Sequence, residues 1–161
     1  MELLTADRIW QLLEEVKDPE IPVVSVVEMG MIRNVGVEGQ KTIAQMTPTF
    51  AGCPALGMIQ ASIAERLKQA GAREVKVKVT LSPPWSSDWI TSGARRKLKE
   101  LGLTTPPLHK GQIEDALEVS AICPYCDSAD TVLKNSFGPT LCRAIYVCND
   151  CHLPFEQFKP I

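Results

Sequence analysis

Four of the six cysteines form two matched pairs towards the end of the chain. Cys123 and Cys126 are separated by two residues, as are Cys148 and Cys151, and 21 residues lie between the two pairs. Each Cys-x2-Cys turn aims two thiolates at one point, and two such turns supply the four sulfurs of a tetrahedral structural Zn2+ site. The spacing therefore predicts a zinc site, with two disulfides or two redox-active pairs as the alternatives.

A fifth cysteine, Cys53, follows Gly52 and precedes Pro54 in a segment that leaves a predicted strand and enters a predicted helix. We expect Cys53 at the helix N-cap or in the first turn, where unpaired N–H groups and the helix dipole lower the pKa of a thiol. Gly52 allows a metal or a partner to approach the backbone closely. Cys53 is then either a metal-binding or sulfur-handling thiolate, or a small residue packed under the helix.

Three acidic residues, Asp18, Glu20 and Glu28, lie in the connector before the first long strand. They could line the same edge as Cys53 and help to hold a metal, although a solvated acidic loop is the simpler interpretation. No histidine precedes His109, so Cys53 lacks a nearby general base, which argues against a hydrolase or a protease.

The elements that must position these residues follow from the spacing of apolar residues along the chain. The order of helices and strands is αββαβα, which predicts a small α/β sandwich, formally α+β, with helices packed on one face of a mixed three-stranded sheet. The predicted elements are a helix capped by Thr5, strands over 32–38 and 42–47, a helix over 55–70, a strand over 74–81, and a helix capped by Ser86 or Ser87 that ends at Gly102.

We expect three segments: the sandwich domain at 1–102, a linker at 103–121 and a four-cysteine zinc ribbon at 122–161. The ribbon core is small, so a metal would supply much of its folding free energy. The sixth cysteine, Cys142, is expected in the ribbon core because four ligands already exist, with a spare ligand or a reactive thiol as the alternatives. Of the two tryptophans after the last strand, Trp89 is expected in the core rather than Trp85, which could present a partner surface.

Net charge is −2, with 13 basic and 12 acidic residues before Thr105 and 4 basic and 7 acidic residues from there onward. The acidic second part argues against nucleic-acid binding by the ribbon. No apolar run approaches the roughly 20 residues that span a bilayer, and no secretory signal precedes the first helix. Unpaired thiols agree with a cytoplasmic protein.

Several segments resemble a known family. Asp18-Pro19-Glu20-Ile21-Pro22 and Gly52-Cys53-Pro54 are similar to motifs of the metal–sulfur cluster assembly family of small α/β proteins. The tryptophan segment at 85–90, the paired cysteines and the segment at 135–142 resemble the D subunits of bacterial phenylacetyl-CoA epoxidase (ring 1,2-monooxygenase) systems. The family usually has tyrosine and serine before Gly-Cys, where this chain has Phe50 and Ala51.

The resemblance implies a non-catalytic accessory protein of aerobic phenylacetate degradation. Its partners would be the oxygenase, which carries a di-iron centre, and the reductase, which carries a [2Fe–2S] cluster. Cys53, with Asp18 and Glu20, would hold iron or an iron–sulfur unit transiently, and the ribbon zinc would be structural. A purely structural docking subunit, a nucleic-acid-binding ribbon and a redox enzyme are the alternatives, and self-association is left open.

Overall fold

In the computed structural model, which describes residues 4–161, the first element is helix α1, Ala6–Leu13. The Thr5 hydroxyl accepts a hydrogen bond from the backbone N–H of Arg8, as expected of an N-cap residue. In the acidic connector that follows, Lys17–Asp18 (β1) and Ile21–Ser25 (β2) pair as a short antiparallel ladder.

The central sheet of the first unit has three strands in the order β3-β4-β5. Strands β3, Ile32–Glu38, and β4, Lys41–Met46, form the predicted antiparallel hairpin. Helix α2, Leu56–Gln69, then connects β4 to β5, Glu74–Val79, which pairs with β4 in parallel. The predicted mixed three-stranded sheet is confirmed.

Helices α1 and α2 pack on each other, α1 on β3 and α2 on β5, and together they close the core of this unit. The valines of β5 are incompletely covered: Val75 and Val77 are half-buried and Val79 is 38% exposed. Strand β5 lies at the edge of the sheet, so only one neighbouring strand covers it. The helical residues of the core are Ile9, Leu12, Leu13, Ile59, Ile63 and Leu67.

The final predicted helix of the sandwich starts later than expected and is preceded by a separate turn. Ser86 caps only a 3-10 turn, Ser87–Trp89, because Ile90 is extended with φ −66° and ψ 123°. The α-helix proper is α3, Ser92–Glu100, and the Thr91 hydroxyl caps it by accepting from the backbone N–H of Ala94.

The second unit contains a four-stranded sheet in the order β6-β9-β8-β7. Its ribbon strands are β7, Thr131–Asn135, β8, Arg143–Cys148, and β9, Pro154–Phe158, and they pair in antiparallel order. Strand β6, Leu103–Thr104, adds to β9 in parallel.

The segment 103–121, expected to be a linker, thus contains β6 and a short helix, α4, Ile113–Glu118. The two compact units divide between Trp85 and Ser86, so α3 belongs to the second unit. The boundaries proposed from the sequence stay a prediction, and the compact units are divided at a different position. None of the helices in the described range has the length and apolar character that crossing a membrane requires.

Candidate functional site

The Sγ atoms of the four paired cysteines converge, and all lie within 4.8 Å of one another. Cys123 and Cys151 are 3.6 Å apart, and Cys126 and Cys148 are 3.5 Å apart, measured between sulfurs. Tetrahedral coordination with metal–sulfur bonds of about 2.3 Å requires sulfur separations of about 3.8 Å, whereas a disulfide requires about 2.05 Å. The geometry fits a four-coordinate metal ion and does not fit two disulfides.

The two Cys-x2-Cys turns have the same backbone construction. Asp127, four residues after Cys123, and His152, four residues after Cys148, both have positive φ, 59° and 61°. In each turn the N–H of that residue donates to the carbonyl of the first cysteine, at 3.0 Å. The first cysteine's own N–H donates to the carbonyl five residues on, which belongs to Ser128 or to Leu153. Each turn therefore aims its two sulfurs independently of the metal.

Polar contacts connect the two turns directly. The backbone N–H of Asn149 donates to the carbonyl of Asp130 at 2.9 Å, and its side-chain amide donates to the Asp130 carboxylate at 2.7 Å. The Ser128 hydroxyl donates to the carboxylate of Asp150. These contacts fix the positions of the two cysteine turns relative to each other.

Protons are distributed unequally over the four thiols. The backbone N–H of Cys151 donates to Cys148 Sγ at 3.5 Å and lowers the pKa of that thiol to about 7. At Cys126 the backbone N–H of Ser128 also lowers the pKa, but desolvation and the neighbouring sulfurs outweigh it and raise the pKa to about 12. At Cys151 the N–H of Leu153 is outweighed in the same way, and the pKa is raised. A metal that binds all four sulfurs must displace the retained protons.

Cys53 lies in the turn between β4 and α2 and is half-buried. Its N–H donates to the carbonyl of Phe50 at 3.0 Å, and its own carbonyl accepts from the N–H of Leu56 at 3.2 Å. The helix N-cap is Ala55, so Cys53 lies two residues before it, and the expected position at the N-cap or in the first turn is wrong. A Cβ on Gly52 would lie 2.9 Å from the Phe50 ring, so the glycine makes room for that ring.

The acidic residues of the connector do not join Cys53 in a ligand cluster. A metal site usually has at least three His, Cys, Asp or Glu side chains close enough to share the ion. Within residues 4–161, the four ribbon cysteines are the only group that meets this condition. Asp18 is buried, and its carboxylate accepts the backbone N–H of Glu20 at 2.8 Å. Glu28 accepts the N–H of Ser25 at 2.9 Å. Both carboxylates contact backbone N–H groups of the connector, whereas Glu20 is exposed.

Ser87, Asp88 and His109 form a cluster that no sequence pattern predicts, because His109 lies in the presumed linker. His109 Nε2 is 3.3 Å from Ser87 Oγ and 3.6 Å from Asp88 Oδ1, while Nδ1 accepts the N–H of Gly111 at 3.1 Å. In a catalytic triad the serine and the carboxylate contact opposite ring nitrogens. Here both contact Nε2, and Ser87 is fully buried, so the cluster is structural.

Cys142 is buried, lies outside the sulfur cluster, and has its Sγ 3.2 Å from the Thr140 hydroxyl. The prediction that it is a core residue is confirmed. The predicted burial of the two tryptophans is wrong. Trp85 is the core residue, at 2% exposed, and Trp89 is half-buried.

Two family models match successive parts of this chain. The model described as "Iron-sulfur cluster assembly protein" matches residues 6–81, and the model described as "PaaD zinc beta ribbon domain" matches residues 108–159. The first match includes Cys53 and the acidic connector, and the second includes all four clustered cysteines.

Similar proteins match nearly the whole chain or a part of it. The chain is 40% identical over 153 residues to the D subunit of the "Putative 1,2-phenylacetyl-CoA epoxidase" of Escherichia coli (strain K12), covering 95% of this chain and 92% of that protein. It is 35% identical over 99 residues to "Fe-S protein maturation auxiliary factor" of Porphyromonas gingivalis (strain ATCC BAA-308 / W83), covering 60% of this chain and 92% of that protein.

Among solved structures, the crystal structure of a domain of unknown function, DUF59, from Bacillus anthracis matches with a TM-score of 0.54 and 29% identity. The matched region covers 58% of the present chain and 90% of the Bacillus anthracis chain. The match confirms the expected α/β fold class.

Proposed function

This chain belongs to the family of 1,2-phenylacetyl-CoA epoxidase D subunits, and from that premise we propose that it is an accessory protein of a multicomponent epoxidase. Its task is to assemble or repair the iron–sulfur or di-iron centre of the reductase or oxygenase subunits. The proposal gives it no catalytic step of its own. Its six unpaired thiols suit a reducing compartment, so the proposal places it in the cytoplasm.

The observation that carries the proposal is that the identity to the Escherichia coli D subunit extends over 95% of the chain, and so includes both units. Residues 6–81 match an iron–sulfur cluster assembly family, which supports handling of iron or of a cluster as cargo. The name of the Porphyromonas gingivalis relative, a maturation auxiliary factor, supports the same task.

In this proposal Cys53 is the sulfur ligand of the cargo. Its half-buried thiol lies in a turn next to the exposed Gly52, where another chain can approach the backbone. One thiolate is only one of the four protein ligands that iron–sulfur clusters usually take. Since Asp18 is buried and bonded to the backbone of Glu20, the remaining ligands come from a partner or a second copy of the chain.

The ribbon metal is proposed to be zinc with a structural role. The donor set is four thiolates, which suits Zn2+ in closed structural sites. All four ligands come from this chain, so no coordination position is left for a reaction. The core around the site is small, comprising Ala121, Cys123, Cys148 and Phe155, so the metal contributes much of the stability of the ribbon.

The test measures iron and zinc per chain after anaerobic purification, together with epoxidase activity in cells that depend on the variant protein. Cys53→Ser is compared with Cys142→Ser, the matched change at the other cysteine outside the cluster. Serine can keep the contact of residue 142 with Thr140, so this control should fold. We expect about one zinc in every variant. Iron and epoxidase activity should be lost only in Cys53→Ser.

Unchanged epoxidase activity in Cys53→Ser cells would overturn the role of Cys53 as ligand of the cargo. If zinc fell in the same variant, the change would have damaged the fold, and Cys53→Ala with a thermal unfolding measurement would separate the two effects.

A docking subunit without a delivery role is the second candidate, and exposed apolar side chains of the ribbon favour it. Leu133 is 50% exposed, Phe137 62% and Leu141 48%. Exposed apolar side chains that form a contiguous patch mark interaction surfaces. Under this candidate, co-purification with the oxygenase would survive Cys53→Ser and be lost in Phe137→Ser, and epoxidase activity would follow co-purification.

A further inference from the structure

A cavity of about 330 Å³ lies within the second unit, where α3 faces β6. It is well separated in sequence from Cys53, and none of its lining residues is a cysteine. Concave sites of about 300–1,000 Å³ are typical of small-molecule binding. The lining residues are Arg95, Arg96, Lys99, Thr104, Thr105 and Ile122.

The wall carries three cationic side chains and no acidic one. Arg96 is exposed and makes no ion pair or hydrogen bond within residues 4–161, so its guanidinium is available to a ligand. Lys99 is ion-paired with Asp127, but both side chains are about half or more exposed, at 48% and 68%. Exposed pairs of this kind contribute little, so a more highly charged anion can replace Asp127.

Arg95 is a fixed charge in the wall of the cavity. Its guanidinium donates to Thr105 Oγ1 at 2.8 Å, to the Pro106 carbonyl at 2.7 Å and to the Ser87 carbonyl at 2.8 Å. Burial lowers the pKa of Arg95, and the nearby Asp88 opposes that shift. The charge is therefore held in place by the fold rather than by a ligand.

The cavity wall also contains a hydroxyl that lacks a partner. Thr104 is only 9% exposed, and its Oγ1 is buried without a hydrogen-bond partner among the described residues. Leaving a buried hydroxyl unsatisfied costs about 1–3 kcal/mol, so such atoms usually have a bound partner. The neighbouring Ile122, 43% exposed, gives the same cavity an apolar side.

We propose that this cavity binds a small organic molecule that carries a phosphate group. A phosphate brings about −1.5 to −2 charge and three acceptor oxygens, which suit two cations and a hydroxyl better than one carboxylate does. Arg96 and Lys99 receive the phosphate, and Ile122 covers the organic part. The Thr104 hydroxyl, whose oxygen is buried in the free protein, turns towards the phosphate and donates a hydrogen bond to it. The site is independent of the proposed role of Cys53.

The test uses the full-length, zinc-loaded protein, because Ile122 and Asp127 flank the cysteines Cys123 and Cys126. The probe is 1-naphthyl phosphate, with 1-naphthol, inorganic phosphate and 1-naphthoate as matched compounds that lack the charge, the organic part or the phosphate. Binding is measured by calorimetry and by shifts of the backbone amide resonances of Arg96, Thr104 and Thr105. We expect 1-naphthyl phosphate to bind at least about tenfold more tightly than any of the other three.

Arg96→Gln and Lys99→Gln change exposed side chains and should leave the fold intact. Each is expected to weaken 1-naphthyl phosphate binding by about fivefold or more, because each removes one charge-assisted contact. Lys134→Gln, an equal charge change on the exposed face of β7, is the control and should leave the affinity unchanged.

Three results would overturn the proposal. One is the absence of amide shifts at Arg96, Thr104 and Thr105 at about 10 mM 1-naphthyl phosphate, far above ordinary ligand affinities. Equal binding of inorganic phosphate would mean a non-specific anion patch, and equal binding of 1-naphthoate would mean a carboxylate site. An affinity that Arg96→Gln and Lys99→Gln leave unchanged would place the binding elsewhere.

Discussion

The indole Nε1–H of Trp85 donates a 2.8 Å hydrogen bond to the backbone carbonyl of Met29, 56 residues earlier in the chain. Trp85 is 2% exposed and Met29 is fully buried. The bond joins the end of the first unit to the loop between β2 and β3. Trp85 directly follows Pro83 and Pro84, and its indole lies in the core rather than in solvent.

Trp85→Phe should destabilise the first unit. Phenylalanine keeps most of the buried ring but leaves the Met29 carbonyl without its donor, at a cost of about 1–3 kcal/mol. Urea unfolding gives the free energy of unfolding for each variant. Trp10→Phe is the matched control, because the Trp10 indole makes no hydrogen bond within the described residues. Equal losses in the two variants would mean that the Trp85 bond contributes nothing specific.

Arg95→Met should destabilise the second unit by about 2–4 kcal/mol, because it leaves the carbonyl oxygens of Ile90 and Pro106 without donors. The Ser87 carbonyl loses the Arg95 contact but keeps the N–H of Ile90 at 3.3 Å. Lysine should not restore the stability, because it lacks the planar fork that reaches several acceptors at once. Thermal unfolding measures the effect, with Arg96→Met as the control on an exposed neighbour. A control as unstable as Arg95→Met would contradict the assignment.

Cys148→Ser should remove the ribbon metal, because three thiolates and a hydroxyl bind Zn2+ far more weakly than four thiolates. Zinc per chain is expected to drop from about one to near zero after dialysis, as measured by elemental analysis. Cys142→Ser should keep its zinc, because Cys142 lies outside the sulfur cluster. A Cys148→Ser protein that still holds a full equivalent of zinc would refute the four-sulfur site.

Zinc affinity should fall steeply as the pH is lowered. The pKa values of Cys126, about 12, and of Cys151 are raised, so both thiols keep their protons at neutral pH and must release them to bind zinc. Release of at least these two protons predicts a loss of at least about 100-fold in apparent affinity for each pH unit downward. The pKa of Cys148 is lowered to about 7, so its thiolate adds a further proton to the count only as the pH falls through 7.

Calorimetry in buffers of different ionisation enthalpy counts these protons directly. Fewer than two protons released at pH 8 would contradict the raised pKa values of Cys126 and Cys151.

Gly102→Ala should destabilise the second unit and weaken the ribbon. Gly102 has φ +77°, and a Cβ there would lie 2.3 Å from the hydroxyl of Tyr125, which lies in sequence between two metal ligands. The strained φ and the clash together should cost about 2–4 kcal/mol in the free energy of unfolding. Gly93→Ala in α3 is the opposite control, since its Cβ meets nothing within 4 Å and alanine favours a helix by about 0.5–1 kcal/mol. Equal effects at the two glycines would refute the packing of Tyr125.

Local chemistry explains what the sequence could predict. The Thr5 cap, the β3-β4 hairpin and the four-cysteine cluster each depend on residues close together in sequence or on a fixed ligand spacing. The positive φ of Asp127 and His152 could also be predicted locally, because Asp and His adopt that conformation more often than most residues.

Long-range pairing explains what the sequence could not predict. The Leu103–Thr104 strand is two residues long, and only its partner β9, about fifty residues later, makes it a strand. The burial of Trp85 depends in the same way on the distant Met29 carbonyl. For Cys53, the spacing indicated a helix start, but the chain makes one further turn before α2 begins at Leu56.

The parallel pairing of β6 with β9 has a consequence for biosynthesis. Strand β9 ends at Phe158, and the carbonyl of Ile161 accepts the N–H of Ser87 at 3.0 Å, so residues 154–161 close the second unit onto its own beginning. A ribosome that has released residues 4–85 has already supplied every strand of the first sheet. The second unit completes its sheet only once residues 154–161 have emerged, whereas all four cysteines of the metal site precede that segment, so the ligand set is complete before the unit closes.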